Sequence, residues 1–129
     1  MKKLIWLMPL LVGIIILILF QSVLLLGYVP SESMEPTLKE NSIILGFRPY
    51  GELKTGDIVI FEREETVFVK RIAGCPGEEI TVDGIRHFVP SDAYFMLGDN
   101  SENSYDSRFW EDPYVSREDI IAKVILSIS

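Results

Sequence analysis

The chain has 129 residues, of which 48% are hydrophobic, and its formal net charge is -7. This length suits one compact domain rather than two. The acidic balance argues against nucleic acid as a partner, because binding it requires a basic face. A single cysteine excludes an internal disulfide framework, so the fold must be stabilised by its own core.

The first feature along the chain is an apolar run of 26 residues, Leu4–Val29, with no charged side chain between Lys3 and Glu32. As a helix it would be about 39 Å long, which exceeds the roughly 30 Å hydrocarbon core of a bilayer. A cleavable secretory signal is the alternative. Its apolar region is shorter and ends in a small-x-small site, whereas three leucines precede Gly27 here. We therefore predict that residues 1–29 form a short cytoplasmic tip and an uncleaved transmembrane anchor.

The remaining residues, 30–129, contain 10 Lys or Arg and 19 Asp or Glu, so this part carries a net charge of -9. Lys2 and Lys3 precede the anchor, and the positive-inside bias therefore predicts a cytoplasmic N-terminus. Residues 30–129 are then expected to form an extracytoplasmic domain of a single-pass protein of the plasma membrane, with the lipid bilayer as a partner.

The exported part consists of short runs rich in Val, Ile and Phe, separated by Gly, Pro, Asp and Asn. Such runs are typical of strands, and no helical periodicity of comparable length occurs after the anchor. We therefore predict a mostly β fold, with one compact β domain at the outer membrane face. The predicted strands are Asn41–Gly46, Asp57–Glu62, Thr66–Ala73, Glu79–Val82, Ala93–Leu97 and Ile121–Ile128.

Two serines, Ser31 and Ser33, follow the anchor and precede a turn at Pro36. A hydroxyl at either position would lie close to the bilayer surface. Taken alone, the segment is also typical of any loop that leaves a membrane, because Ser and Pro are common turn residues.

Lys70 lies within the predicted strand Thr66–Ala73, where two-residue alternation places it on one face with Phe68 and Ile72. If that face is buried, desolvation favours the neutral amine, and a neutral lysine is a general base. Burial can lower the pKa of a lysine far enough for this. The alternative is that Lys70 extends from an edge strand into solvent.

A polar loop follows the strand that ends near residue 97. Its alternating Asp, Ser and Asn residues resemble a calcium loop, but Ser104 and Trp110 occupy the positions that need Gly and a bidentate Glu. We therefore predict no metal site in this loop. Asp99, Asp106 and Arg108 are expected to brace it through ion pairs and hydrogen bonds.

Cys75 and His87 are the only cysteine and the only histidine. Together they cannot form a thiolate and imidazole cluster for zinc, and a Ser-His-Asp triad would need His87 as its base. Nothing near His87 indicates that role, and Cys75 lies in a turn-rich segment where we interpret it as a small packed residue. We expect no metal and no cofactor.

Four segments of the chain resemble, in order, those of bacterial type I signal peptidases, which are membrane-anchored Ser/Lys endopeptidases that remove signal peptides from exported preproteins. With the anchor they account for most of the sequence. A related type has His where the bacterial type has Lys, and position 70 here is Lys. The segments are Ser31–Leu38, Thr55–Phe61, Val69–Glu78 and Gly98–Arg108.

The resemblance implies that Ser33 is the nucleophile and that Lys70 is the base that takes its proton. It also implies that Ser31 donates a hydroxyl to the oxyanion hole beside the backbone N–H of Ser33, and that Ser104 orients the Lys70 amine. The implied substrates are exported preproteins with small residues at the first and third positions before the cleaved bond. The positions that match site-shaping residues of the family are Asp99, Asp106 and Arg108.

Two departures from the family pattern concern the size of the domain and Cys75. Only Gly84–Val89 separates Asp83 from Pro90, where family members usually carry a larger β insertion, so the accessory subdomain is expected to be much reduced. Cys75 stands where the family more often has a larger aliphatic residue. Three alternatives remain: a catalytically silent membrane-anchored β module, a self-cleaving regulator of the repressor type, and a peptidase dedicated to one exported protein.

Overall fold

The fold consists of one long helix followed by nine strands, in a computed structural model that describes residues 1–129. The predicted mostly β fold with an N-terminal apolar helix is confirmed. Two short 3-10 helices, Ser101–Asn103 and Arg117–Asp119, interrupt the loops. The main elements are α1 (Lys2–Val23), β1 (Leu24–Tyr28), β2 (Ile43–Phe47), β3 (Ile58–Arg63), β4 (Thr66–Gly74), β5 (Glu79–Val82), β6 (Ile85–Phe88), β7 (Ala93–Leu97), β8 (Tyr114–Ser116) and β9 (Ile120–Ile128).

Helix α1 has 22 residues, is predominantly apolar and has no buried side chain, so it is long and apolar enough to cross a membrane. It is shorter than the apolar run, because Leu24 is already extended and begins β1. Arg48 accounts for this early end: its backbone N–H donates to the carbonyl of Val23, and its Nε donates to that of Gln21.

Seven strands form one antiparallel sheet in the order β1-β2-β9-β3-β4-β7-β8, and β5 and β6 form a separate hairpin. All six predicted strands are present, with ends shifted by at most two residues. The sequence patterns missed β1, which lies inside the apolar run, and the short strands β6 and β8. The hairpin β5–β6 occupies the place where the larger family insertion was expected to be reduced.

Strands β3 and β4 are joined by a two-residue turn in which Glu64 and Glu65 both have positive φ, 49° and 64°. The two-residue turn whose backbone twist matches that of the flanking strands requires positive φ at both positions. The turn fixes the register of β4 so that Val59 of β3 lies opposite Lys70. This register places Lys70 at a buried position of the seven-stranded sheet.

The core has two parts, because alternate residues of β3 point to opposite faces of the sheet. Val59 and Phe61 belong to a cluster that includes Ile72, Met96 and other buried residues. On the opposite face, the second cluster consists of Val29, Met34, Leu38, Ile44, Ile60 and Ala122.

Candidate active site

The hydroxyl of Ser33 and the amine of Lys70 are in direct contact inside the domain. Lys70 Nζ lies 2.7 Å from Ser33 Oγ, a hydrogen-bond distance. Ser33 is 6% exposed and Lys70 is 3% exposed. The alternation of β4 places Lys70 on the same face as Phe68 and Ile72, both of which pack in the first core cluster. The face of β4 that carries Lys70 is therefore buried, and the alternative in which Lys70 extends into solvent is wrong.

The backbone around Ser33 is fixed by its neighbours on both sides. Met34, the next residue, is fully buried in the second core cluster, which anchors the loop that follows β1. The carbonyl of Ser33 accepts a 2.9 Å hydrogen bond from the backbone N–H of Asn100, and the Asn100 amide donates to the carbonyl of Glu32. The loop that carries Ser33 is thus joined to the loop after β7. The motifs alone gave no sign of Asn100 in this role.

Burial lowers the pKa of the Lys70 amine, because desolvation disfavours its charged form. The nearby carboxylate of Asp106 opposes this shift, and the guanidinium of Arg108 adds to it. The Lys70 amine forms hydrogen bonds with two hydroxyls, those of Ser33 and Ser104, and no carboxylate contacts it directly. The neutral form is therefore favoured relative to an exposed lysine.

Ser104 connects the Lys70 amine to the carboxylate of Asp106. Lys70 Nζ donates to Ser104 Oγ at 3.2 Å, and Ser104 Oγ donates to Asp106 Oδ2 at 2.8 Å. The same carboxylate oxygen accepts the backbone N–H of Gly98, and Arg108 donates to both carboxylate oxygens. Asp106 is fully buried, so it is a buried charge whose oxygens are all occupied.

The pKa of Asp106 lies below its ordinary value. Burial raises that pKa, but the hydrogen bonds from Arg108, Gly98 and Ser104 together outweigh it. The carboxylate therefore stays ionised and keeps accepting the hydroxyl of Ser104. Since that hydroxyl carries a single proton, its oxygen lone pairs remain directed to the Lys70 amine.

Asp99 braces the site through a second ion pair, with a partner that the sequence interpretation did not name. Arg71 donates to both oxygens of Asp99, at 2.8 and 2.7 Å, and Thr37 donates to Asp99 at 2.6 Å. The hydrogen bond from Arg71 lowers the pKa of Asp99. Arg71 also donates to the carbonyl of Gly56, so this pair joins three separate segments. The strand alternation that placed Lys70 inward also placed Arg71 on the other face.

Ser31 lies at the exposed entrance of the site. Its hydroxyl is 3.2 Å from Ser33 Oγ, and the backbone N–H of Ser33 donates to Ser31 Oγ at 3.4 Å. The hydroxyl of Ser31 therefore contacts both the hydroxyl and the backbone N–H of Ser33.

Gly98 packs directly against the two loops that carry the site. A Cβ atom at this position would lie 2.0 Å from Ser104 Oγ and 2.7 Å from the carbonyl oxygen of Ser33. The site therefore needs glycine here because of the close approach of two loops, a reason that only the structure reveals.

A groove runs beside Ser33 and Lys70, between the segment 29–33 and the first half of β4. This central groove has a volume of about 290 Å³. It shares Pro30, Val67 and Val69 with an adjoining cavity of about 500 Å³, the apolar cavity, which is lined mainly by aliphatic side chains such as Leu25 and Ile44. The site is thus open to an extended chain.

Cys75 and His87 line neither cavity. Cys75 is half-buried and packs against the first core cluster, where its thiol donates to the carbonyl of Leu53 at 3.8 Å. The ring of His87 lies 4.5 Å from that of Phe95, between centroids. Both residues have packing roles in the fold.

Comparison with known proteins assigns the chain to a family. The family described as "Signal peptidase, peptidase S26" matches residues 1–86 and 82–128. Signal peptidase I of Leptolyngbya laminosa is 33% identical over 77% of this chain and 66% of its own length. A probable signal peptidase I-2 of Synechocystis is 31% identical over 77% of this chain and 60% of its length. Signal peptidase I P of Bacillus subtilis subsp. natto is 32% identical over 80% of this chain and 77% of its length.

The chain thus covers less than two thirds of the length of the first two relatives. The family match nevertheless extends over nearly all of its residues, including both Ser33 and Lys70. The chain therefore belongs to the signal peptidase family, peptidase S26.

Proposed function

We propose that the protein is a signal peptidase I, a membrane-bound serine endopeptidase that removes N-terminal signal peptides from exported preproteins. The observation that carries the proposal is the 2.7 Å contact between Ser33 Oγ and the buried amine of Lys70. A serine is a weak nucleophile unless a base lies within hydrogen-bond reach of its hydroxyl, and here the base is the lysine itself.

In the proposed reaction, Ser33 Oγ attacks the scissile carbonyl carbon while the neutral amine of Lys70 accepts the hydroxyl proton. The tetrahedral intermediate collapses as the protonated Lys70 gives that proton to the leaving amine, which leaves an acyl-enzyme ester on Ser33. Lys70 then takes a proton from water, the hydroxide attacks the ester carbonyl, and the proton returns to Ser33 Oγ. The signal peptide leaves with a new carboxyl terminus.

Ser104 and Asp106 are proposed to orient the base. The Lys70 amine ends a flexible side chain, and its reactive lone pair must point at Ser33. Because the Ser104 hydroxyl donates its hydrogen bond to Asp106, Ser104 presents its lone pairs to the amine and fixes one of the N–H groups of Lys70. Arg108 keeps the Asp106 carboxylate ionised and in place. These residues act through Lys70 and do not contact the reacting carbonyl.

Ser31 and the backbone N–H of Ser33 are proposed to form the oxyanion hole. The Ser31 hydroxyl lies 3.2 Å from Ser33 Oγ and accepts the backbone N–H of Ser33, so the two donors lie side by side next to the attacking oxygen. Removing one such donor costs about 10²- to 10³-fold in rate in other serine proteases. A Ser31→Ala variant should therefore lose about that much kcat, whereas Ser31→Thr, which keeps a hydroxyl, should retain most of the activity.

The first half of β4 offers an edge to an extended substrate. β3 pairs with residues 66–71, but β7 pairs only from Arg71 onward, so one edge of residues 66–70 has no strand partner. Since Thr66 and Arg63 flank a two-residue turn, the register directs the backbone groups of Val67 and Val69 to that free edge. An extended preprotein can add a strand there and place small residues at its first and third positions before the cut in the apolar cavity.

The anchor is proposed to hold the catalytic domain at the outer surface of the plasma membrane. α1 is the single helix of the chain with the length and hydropathy of a membrane span, and Lys2 and Lys3 lie at its N-terminal end. The positive-inside bias places that end in the cytoplasm. A preprotein whose signal segment lies in the same bilayer is then at a high effective concentration near Ser33.

The proposal is tested by incubating the detergent-solubilised protein with a signal-peptide substrate and mapping the cut by mass spectrometry. Wild type should cleave after a small residue. Ser33→Ala and Lys70→Ala should abolish cleavage while retaining the cooperative unfolding transition of the wild type. An intact substrate with folded wild type would favour a silent binding module, and full activity in Lys70→Ala would refute the dyad.

A further inference from the structure

A third cavity, which we call the aromatic cleft, opens on the face of β4 opposite the apolar cavity. Its volume is about 700 Å³. The rings of Phe68 and Trp110 form its base, with centroids 5.4 Å apart, and Tyr105 meets Trp110 edge-on at 6.2 Å. Tyr105 is exposed, so aromatic surface is available in the cleft.

The aromatic cleft is continuous with the central groove. Three residues, Thr66, Phe68 and Tyr105, line both. The free edge of β4 separates the cleft from the apolar cavity, since Phe68 points to one and Val67 and Val69 point to the other. A strand added along that edge must direct its alternate side chains to these two faces.

The charged side chains that line the cleft are three carboxylates, of Glu64, Glu111 and Asp112, and one guanidinium, of Arg63. Glu64 and Glu111 line it, are exposed and form no ion pair. The guanidinium of Arg63 lies 4.5 Å from the centroid of the Trp110 ring and also donates to the carbonyl of Asp112, so this cation is already engaged. Aromatic faces next to free carboxylates attract a cation.

We infer that the aromatic cleft is a substrate subsite that binds a basic side chain, Lys or Arg, at the second or fourth position before the cleaved bond. The inference rests on the proposed function. If small residues at the first and third positions enter the apolar cavity, the second and fourth positions face the cleft. There the cation lies against the exposed ring of Tyr105, since Arg63 already occupies the face of Trp110, and near Glu64 and Glu111.

The inference is tested with matched peptide substrates that carry Ala, Arg or Glu at the second or the fourth position. At one of these positions, kcat/KM should be about two- to fivefold higher with Arg than with Ala, and lower with Glu. The double variant Glu64→Gln/Glu111→Gln should reduce the preference for Arg and cleave the Ala peptide at the wild-type rate. Glu52→Gln is the matched control, because Glu52 is exposed and lines none of the three cavities.

The outcomes separate the inference from the proposed function. Equal kcat/KM for Ala and Arg peptides at both positions, with normal cleavage of each, overturns the subsite alone. A preference for Arg that survives in the double variant overturns it too, because the carboxylates would then not be its cause. If folded wild type cleaves no peptide, the proposed function fails and the subsite fails with it.

Discussion

Gly98 is the position at which the smallest change should disrupt the geometry of the site most. In a Gly98→Ala variant the new Cβ would lie 2.0 Å from Ser104 Oγ, 2.6 Å from Ser104 Cβ and 2.7 Å from the Ser33 carbonyl oxygen. Rotation of the Ser104 side chain cannot relieve the clash, because its Cβ and the Ser33 backbone are also too close. One or both loops must move.

The size of the effect follows from these distances. Non-bonded carbon and oxygen atoms do not approach within about 3 Å, so the Ser104 hydroxyl must move by roughly 1 Å. A displacement of about 1 Å at a catalytic group costs on the order of 10²-fold in rate. Crowding of the interior should also lower the free energy of unfolding by about 1–3 kcal/mol. We expect kcat to fall far more than KM rises.

The assay is cleavage of a signal-peptide substrate under conditions where circular dichroism shows the variant to be folded. Gly46→Ala is the matched control, because its Cβ would lie 2.9 Å from Ala122 Cβ, in the core and away from the dyad. The control should be destabilised to a similar extent but keep its kcat. Wild-type kcat in Gly98→Ala would refute the idea that the close approach of the two loops sets the dyad geometry.

Three further predictions concern pH, charge and a turn. Because burial lowers the pKa of Lys70, kcat/KM should rise with pH and level off above that pKa. The free energy of unfolding should also rise with pH between the lowered pKa of Lys70 and the ordinary pKa of lysine, because the unfolded chain binds the proton more tightly. A rate that stays flat from about pH 6 to about 9 would contradict this. Asp106→Asn should move the rise in kcat/KM to lower pH, because the carboxylate raises the Lys70 pKa. It should also cost about 3 kcal/mol of unfolding free energy in a denaturant titration, because it leaves the mostly buried Arg108 with only the exposed Asp83 as an ionic partner. Glu65→Gly should raise the unfolding free energy by up to about 1 kcal/mol in the same titration, since residue 65 has a φ of 64°; no gain would argue against strain there.

The sequence predicted the strands that carry a clear two-residue alternation. The same alternation placed Lys70 on one face with Phe68 and Ile72 but did not decide whether that face was buried. Nor could the sequence separate β1 from the anchor. Leu24–Tyr28 are as apolar as the helix before them, and the change to a strand depends on Arg48 and on pairing with β2, both distant in sequence. Hydrophobicity alone therefore overestimated the length of the helix.

The site was predictable only in part, because its polar contacts join segments far apart in the chain. The motifs pointed to Asp99 and Asp106 as a bracing pair of acids, but no spacing rule connects Asp99 to its partner Arg71 or to Thr37, 62 residues away. The sequence also gave no indication that position 98 must be glycine, because this need arises from the close approach of the loop that carries Ser33.

The two ion pairs explain how a domain with a reduced insertion can still hold the dyad. Arg71 and Asp99 join β4 to the loop after β7 and, through Thr37, to the segment that follows Ser33. Asp106 and its partners fix the Ser104 hydroxyl on the other side of the Lys70 amine. All of these groups belong to the main sheet and its loops.

The small hairpin β5–β6 adds little to this network. Its contribution is Asp83, in the turn between the two strands, which is exposed and lies 3.7 Å from Arg108. An exposed ion pair of this kind is worth at most about 1 kcal/mol. Because the groups that set the Ser33–Lys70 geometry come from other elements, a further reduction of this hairpin should change the breadth of accepted substrates before it changes the chemistry at Ser33.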